Sequence, residues 1–315
     1  MPDIELNDTN RPPAWITIGT FDGVHLGHQA IIRKLVHGAH MRNERAVVVT
    51  FYPHPAEILR NITGPYYLTT PDERETLLKK LNVDEVITYA FNRGMAEESA
   101  HNFILNLRQK VNFSCLLVGY DFRLGSGRAG DITTLRELGR EFNFEVETIS
   151  PQSVNGYVIS SSAIRQLITN AEMRKTVEML GRWFSVTGEV VHGDGRGVHI
   201  GIPTANVAIW PRLLLPPSGV YAATVELENN SFQAVLNIGQ RPTFYIPPAE
   251  MTFEVHILDF DQVLYGKVFK VNLIEFLRPE TRFRSAEALM EQIKTDIQQT
   301  REVLTHAPQT PGLSS

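Results

Sequence analysis

The sequence predicts an α/β amino-terminal domain with a parallel sheet, followed by a carboxy-terminal antiparallel β-barrel domain with a terminal helix. Three observations predict this. From residue 15 to about residue 150, short β-branched and aromatic runs alternate with helical periodicities, the texture of βαβ units. After Gly181 the helices give way to short alternating segments separated by turn clusters, the texture of a small barrel. The chain has 315 residues, more than one typical core holds. The expected division is 1–180 and 181–305, with a loose tail over 306–315.

In the first half the expected strands are Ile16–Phe21, Ala46–Phe51, Val86–Phe91, Ser114–Tyr120 and Glu145–Ile149. The helical patterns are Ala30–Met41, Asp72–Leu81, Glu97–Leu107 and Thr133–Phe142. Right-handed crossovers between parallel strands follow from that alternation. A further helix begins near Ser160, and Ala171–Leu180 reads as a connecting helix ended by Gly181. The second half offers Ser185–Val191, Val220–Leu227, Phe232–Asn237, Thr252–Leu258 and Val268–Phe276. Its final helix, Ser285–Leu304, has Ser285 as N-cap and acidic residues from Glu287 onward in its first turns.

Composition excludes several classes. With 43% hydrophobic and 21% charged residues the chain is globular rather than disordered. A formal net charge of −5 gives no global attraction to nucleic acid or to an anionic membrane. No apolar run approaches membrane-spanning length, and the polar, acidic first residues lack the regions of a signal peptide. The single cysteine, Cys115, lies in the apolar run S-C-L-L-V-G and reads as an inert core thiol. Together these place the protein in the cytoplasm, with no nucleic-acid or membrane partner and its oligomeric state open.

The chemistry begins at Trp15–His28, W-I-T-I-G-T-F-D-G-V-H-L-G-H. A strand feeds a tight turn and then a helix, so His25 and His28 gather where a helix N-terminus already favours anions. Imidazoles there can donate to phosphate oxygens and stabilise charge on a leaving pyrophosphate. Gly19, Phe21 and Gly23 belong to the same turn, where glycine permits close approach of a ligand. One histidine alone would read as a cap or a core residue; the pair after G-T-F-D-G reads as function.

Three further segments carry candidate groups. I-S-S-S-A-I-R, residues 159–165, opens a helix with serines and places Arg165 one turn in, so Ser161, Ser162 and Arg165 form a possible anion site. A plain serine cap with a surface arginine is the alternative. The run 116–131 leaves a strand and turns glycine-rich and basic; Asp121 can meet a ribose or a metal and Arg123 or Arg128 a phosphate, or the run is a surface loop. In the second half, H-G-D-G-R-G-V-H-I-G-I-P-T-A-N supplies free amides around Gly197 and Gly201, and Thr204 and Asn206 as hard oxygen donors suited to Mg²⁺. Glu254 shares a strand face with Thr252 and His256 and is either a solvated residue or a general base.

G-T-F-D-G-V-H-L-G-H together with I-S-S-S-A-I-R resembles the Rossmann-like HxGH nucleotidyltransferase superfamily, whose members release pyrophosphate. The first motif also resembles cytidylyltransferases and leaves the acceptor open. The ordered set G-R-G-V-H-I-G-I-P-T-A-N, L-P-P-S-G-V-Y, L-N-I-G-Q-R-P-T-F, F-E-V-H-I-L-D-F, L-Y-G and F-L-R-P-E resembles a riboflavin kinase domain. The whole of residues 15–304 is thus similar to the bacterial bifunctional riboflavin kinase/FAD synthetase family.

The resemblance implies ATP as co-substrate, Mg²⁺, riboflavin, FMN, FAD, ADP and pyrophosphate. It implies that His25, His28, Ser162 and Arg165 hold the triphosphate and that Asp121 lies in the nucleotide pocket. It further implies that Thr204 and Asn206 hold Mg²⁺, that Glu254 is the base, and that the segment carrying Arg278 helps cover the flavin. The chain departs from the family at Val198–Ile202, where an arginine is missing, and at Tyr245–Pro248, where prolines replace glycines.

Overall fold

The computed structural model describes residues 11–193, 202–228, 230–241 and 250–307. Gly197 and Gly201 lie outside the described residues, as do most of Val198–Ile202 and all of Tyr245–Pro248. The chain divides into two compact units, with the division along the chain falling between Ser161 and Ser162.

The first unit is a five-stranded parallel sheet in the order β3-β2-β1-β4-β5. Its strands are β1 (Ala14–Ile18), β2 (Arg45–Tyr52), β3 (Glu85–Ala90), β4 (Phe113–Gly119) and β5 (Glu145–Ile149). The helices are α1 (Leu26–Met41), α2 (Pro55–Arg60), α3 (Pro71–Lys79), α4 (Arg93–Glu97), α5 (Ala100–Lys110) and α6 (Ile132–Phe142). Every residue of β1 is buried, as a central strand covered on both faces requires. Alternate residues divide between two cores. Ile16, Ile18, Val47 and Val49 pack with Phe103, Ile104 and Leu107 of α5 and Leu135 of α6. Trp15, Val48, Cys115 and Leu117 pack with Ile32 and Leu35 of α1 and Leu77 and Leu78 of α3. The chain leaves β1 toward β3 and returns to β4 on the other side. The crevice at the carboxyl ends of β1 and β4 is therefore the switch point where such sheets receive ligands.

Several expected bounds need correction. The first strand stops at Ile18 rather than Phe21, because Phe21 and Val24 turn to φ 47° and 38° with Gly23 at φ 81°. The first helix begins at Leu26 rather than Ala30, since His25 caps it. The pattern Glu97–Leu107 is two helices, α4 and α5, with Ser99 capping the second through the N–H of Asn102. Pro53-His54-Pro55 leads into a short helix that the expected elements lack: Pro55 starts α2, and His54 accepts from Ala56 N. A hairpin of β6 (Ser153–Val154) and β7 (Tyr157–Val158) adds to the expected elements, turning at Asn155-Gly156.

The second unit contains α7 (Ser161–Thr169) from Ser162 onward and α8 (Met173–Leu180), which Gly181 ends at φ 72°. Six strands follow: β8 (Phe184–Val191), β9 (Ala205–Ala208), β10 (Gly219–Leu227), β11 (Asn230–Arg241), β12 (Glu250–Ile257) and β13 (Val268–Arg278). They close into a barrel in the order β10-β11-β12-β9-β8-β13. Phe253, Val255, Ile257, Leu236, Ile238, Phe269 and Leu273 fill it. The terminal helix α9 (Ala286–Thr305) is capped by Ser285, whose side chain accepts from Ala288 N. It packs against the barrel with α8 through Val177, Trp183, Ile274 and Val303. Two bidentate ion pairs fasten it: Arg278 with Asp296, and Arg301 with Asp259.

Candidate functional site

The first site is the turn between β1 and α1. Gly19 N–H donates to Val49 O at 3.0 Å, which ties the start of the turn to β2. A β-carbon at Gly19 would stand 3.0 Å from the Phe21 ring, so glycine is what lets that ring fold under the turn. Positive φ at Phe21 and at the β-branched Val24 costs on the order of 1–3 kcal/mol each, which only a firmly held turn sustains. His25 then caps α1: its Nδ1 accepts from His28 N at 3.3 Å. A neutral His25 with Nδ1 so used carries its proton on Nε2, a donor. The His25 and His28 rings stack with centroids 3.5 Å apart and planes 17° from parallel. Phe21 meets His28 edge-on at 5.2 Å. Gly27 explains the spacing H-L-G-H, because a β-carbon there would press on the His25 ring at 3.2 Å. No acidic residue lies in the first turn of α1, where the helix dipole favours an anion.

Asp121 follows β4, beside β1, and so shares the switch-point edge with this turn; it is exposed. Arg123 is 3.9 Å from Asp131, the N-cap of α6. The bonds from Thr134 to the Asp131 carboxylate hold it below the usual carboxylate range. The glycine-rich run is a docked loop. Leu124 and Gly130 exchange both backbone bonds at 2.9 Å, and Ser126 N donates to Glu98 O at 2.8 Å. Ser161 lies at the start of α7, and its Oγ donates to Asp22 O at 3.0 Å. Ser162 is exposed and Arg165 half-buried on the same helix, in the second unit.

The second site lies on the barrel. Register pairs Glu254 of β12 directly with Asn206 of β9 on one side and with Asn237 of β11 on the other. Cross-strand partners share a face and stand about 5 Å apart at their β-carbons. Glu254 is half-buried while Phe253 and Val255 are buried, the expected alternation. Thr204, two residues before Asn206, is half-buried, and Ala205 and Val207 turn inward. Gly193 has its backbone against the Asn206 carboxamide, where any side chain would collide. His256 Nδ1 meets Pro203 O at 2.8 Å and fixes the approach to β9. The row therefore puts Asn206 and Glu254 on one face, with Thr204 two residues before Asn206, and oxygen donors of this kind would suit Mg²⁺. Arg278 donates from Nε and Nη2 to the two oxygens of the buried Asp296, both at 2.8 Å, and so fastens α9 to the end of β13.

Sequence reading passed over Asp22, Thr69 and Arg74. Asp22 is fully buried and accepts from Leu68 N at 3.0 Å and from Thr69 N at 3.3 Å. Arg74, also buried, donates to Thr20 O and Phe51 O at 3.0 and 3.2 Å. Burial lowers its pKa, and the nearby Asp22 charge opposes that. Asp22 stood inside the recognised motif. Thr69 and Arg74, some fifty residues on, carry no local signature.

A parallel-sheet domain with paired histidines at its switch point, joined to a barrel whose register sets Glu254 opposite Asn206, is the architecture of a phosphoryl and nucleotidyl transferase. The family model for FAD synthetase matches residues 7–163 and that for riboflavin kinase matches residues 180–304. The chain is 38% identical over 289 residues to the bifunctional riboflavin kinase/FMN adenylyltransferase of Escherichia coli strain K12, covering 91% of each. It is 34% identical to the protein of that name from Listeria monocytogenes, covering 94% of this chain and 93% of the relative. A crystal structure described as a macrolide-efflux protein from Streptococcus pneumoniae matches with TM-score 0.83 and 31% identity, over 96% of this chain and 98% of that one. The chain belongs to the bifunctional riboflavin kinase/FMN adenylyltransferase family. No helix among the described residues is long and apolar enough to cross a membrane.

Proposed function

We propose that the two sites divide the family's two reactions between them. The chain phosphorylates riboflavin to FMN with ATP, then adenylylates FMN with a second ATP to give FAD and pyrophosphate. One observation supports the division most: each half brings its own motif residues to one place, His25 against His28 and Glu254 opposite Asn206. We place the functional boundary at residues 180/181, with 1–180 as the adenylyltransferase, 181–305 as the kinase and 306–315 as a tail.

In the kinase half, Glu254 accepts the proton of the terminal ribityl hydroxyl as its oxygen attacks the γ-phosphorus of ATP and the bond to ADP breaks. Thr204 and Asn206 would hold Mg²⁺, which supplies charge neutralisation on the phosphates when bound. Gly193 keeps Asn206 in place by leaving room for its carboxamide. In the other half, a phosphate oxygen of FMN attacks the α-phosphorus of ATP and pyrophosphate leaves. His25 Nε2, His28 and the amides at the start of α1 stabilise the charge that develops on it. Ser162 and Arg165 hold the triphosphate, and Asp121 the nucleotide. Gly197 and Gly201 would belong to the kinase's phosphate loop. Positioning and charge stabilisation supply the catalysis in both steps. The reading is of a cytoplasmic enzyme acting on small molecules, in keeping with its net charge of −5.

Riboflavin and Mg-ATP, with products resolved as FMN, FAD, ADP and pyrophosphate, test this. FMN should form first with ADP, and FAD should follow with stoichiometric pyrophosphate. Removal of the divalent ion with EDTA should stop the FMN step. Production of neither flavin would contradict the proposal.

A further inference from the structure

Asp22 is the one carboxylate of the histidine turn, and it is entirely removed from water. Burying a carboxylate costs several kcal/mol unless its oxygens are satisfied. Here they are. Leu68 N reaches both oxygens, at 3.0 and 3.2 Å. Thr69 N reaches Oδ1 at 3.3 Å and its hydroxyl the same oxygen at 3.5 Å. The Thr69 hydroxyl also accepts from Gly23 N at 3.3 Å, the position whose φ of 81° bends the turn. The main chain of Asp22 is used as well, since its carbonyl accepts from Ser161 Oγ at 3.0 Å. Three segments distant in sequence thus converge on one residue: the histidine turn, the loop Leu68-Thr69, and the serine run that opens α7.

We propose that Asp22 is the positioning residue of the adenylyl-transfer site: it sets the register of the His25–His28 turn against Ser161 and the Leu68-Thr69 loop. The inference rests on the reading of His25 and His28 as the phosphate-stabilising pair, and it goes beyond it. The Asp22 carboxylate is occupied by loop amides, with the Arg74 cation nearby. What it supplies is geometry. The turn runs through φ 47°, 81° and 38° at Phe21, Gly23 and Val24, values that relax once the Thr69 and Asp22 bonds are gone. Relaxation would move the His25 cap and the amides of α1 by a fraction of an ångström, which phosphoryl chemistry registers strongly.

Asp22→Asn keeps shape but presents an amide NH₂ to donors; Thr69→Val removes the hydroxyl; Thr69→Ser restores it. FAD formation from FMN is measured with KM and kcat separated, and FMN formation by the same preparations serves as the internal reference. In Asp22→Asn and Thr69→Val, kcat for FAD formation should fall at least about tenfold while KM for FMN stays within about twofold. Thr69→Ser should recover most of the rate, and FMN formation should not change. Wild-type kcat in both variants would overturn the proposal. So would a loss matched by collapse of the amino-terminal domain in circular dichroism, because that is a purely structural role. His28→Ala, assayed alongside, separates the two readings. If it retains FAD formation, the histidine-site reading fails; if it abolishes FAD formation while Asp22→Asn and Thr69→Val do not, only the positioning role of Asp22 fails.

Discussion

His25 and His28 show how much a single residue can reveal. Their spacing, their place after G-T-F-D-G and the glycine between them are all local, and the stacked pair follows from them. Cys115 was equally legible as an inert core thiol. It is 0% exposed, and burial pushes its pKa from 9.0 up to about 12. A folded-state pKa above the unfolded value means the neutral thiol is preferred on folding. This contribution is fully present below pH 9 and is lost as pH rises toward 12. The native protein should therefore resist thiol reagents at pH 8 and react with one equivalent once unfolded in guanidinium; rapid native labelling would contradict the buried placement. Asp22, Thr69 and Arg74 were harder to see, because a carboxylate that works through loops some fifty residues away leaves no spacing to read. The ion pair of Arg278 was equally hidden, because its partner, Asp296, sits on a helix that sequence alone cannot aim.

At the scale of elements, strands and helices were legible where periodicity was strong, and their ends were set by caps that periodicity does not contain. His25 extends α1 back to Leu26, and Ser99 separates α4 from α5. The short strand β9 follows Pro203 and takes its place only through pairing with β8 and β12. Helix α1 carries the histidine turn, and its seat on the sheet depends on Gly38, whose missing side chain leaves space for the Trp15 ring. Arg42 lies over the same indole, 5.1 Å from its centroid. Gly38→Ala gains about 1 kcal/mol of helix propensity but forces overpacking that costs typically about 1–3 kcal/mol. Urea denaturation should show net destabilisation, with a parallel loss of FAD formation as α1 lifts. An unchanged or higher midpoint would mean that α1 does not rest on Trp15 through Gly38.

At the scale of the whole molecule, the change in texture at Gly181 was the strongest fold signal, and the two architectures on either side of it follow from alternation alone. The pairing of one activity with each half required more than texture. Short motifs had to occur in order along the chain, and the register had to bring Asn206 opposite Glu254 across two strands separated by more than forty residues. On the proposed division each reaction has its own set of residues, so a lesion in one should leave the chemistry of the other intact. The most direct test assays His28→Ala and Glu254→Gln separately for riboflavin-to-FMN and FMN-to-FAD conversion with Mg-ATP. His28→Ala should abolish FAD formation and spare FMN formation, and Glu254→Gln should block FMN formation while still converting supplied FMN to FAD. If either substitution stops both conversions in a protein that remains folded, the assignment of the two reactions to two separate sites is wrong.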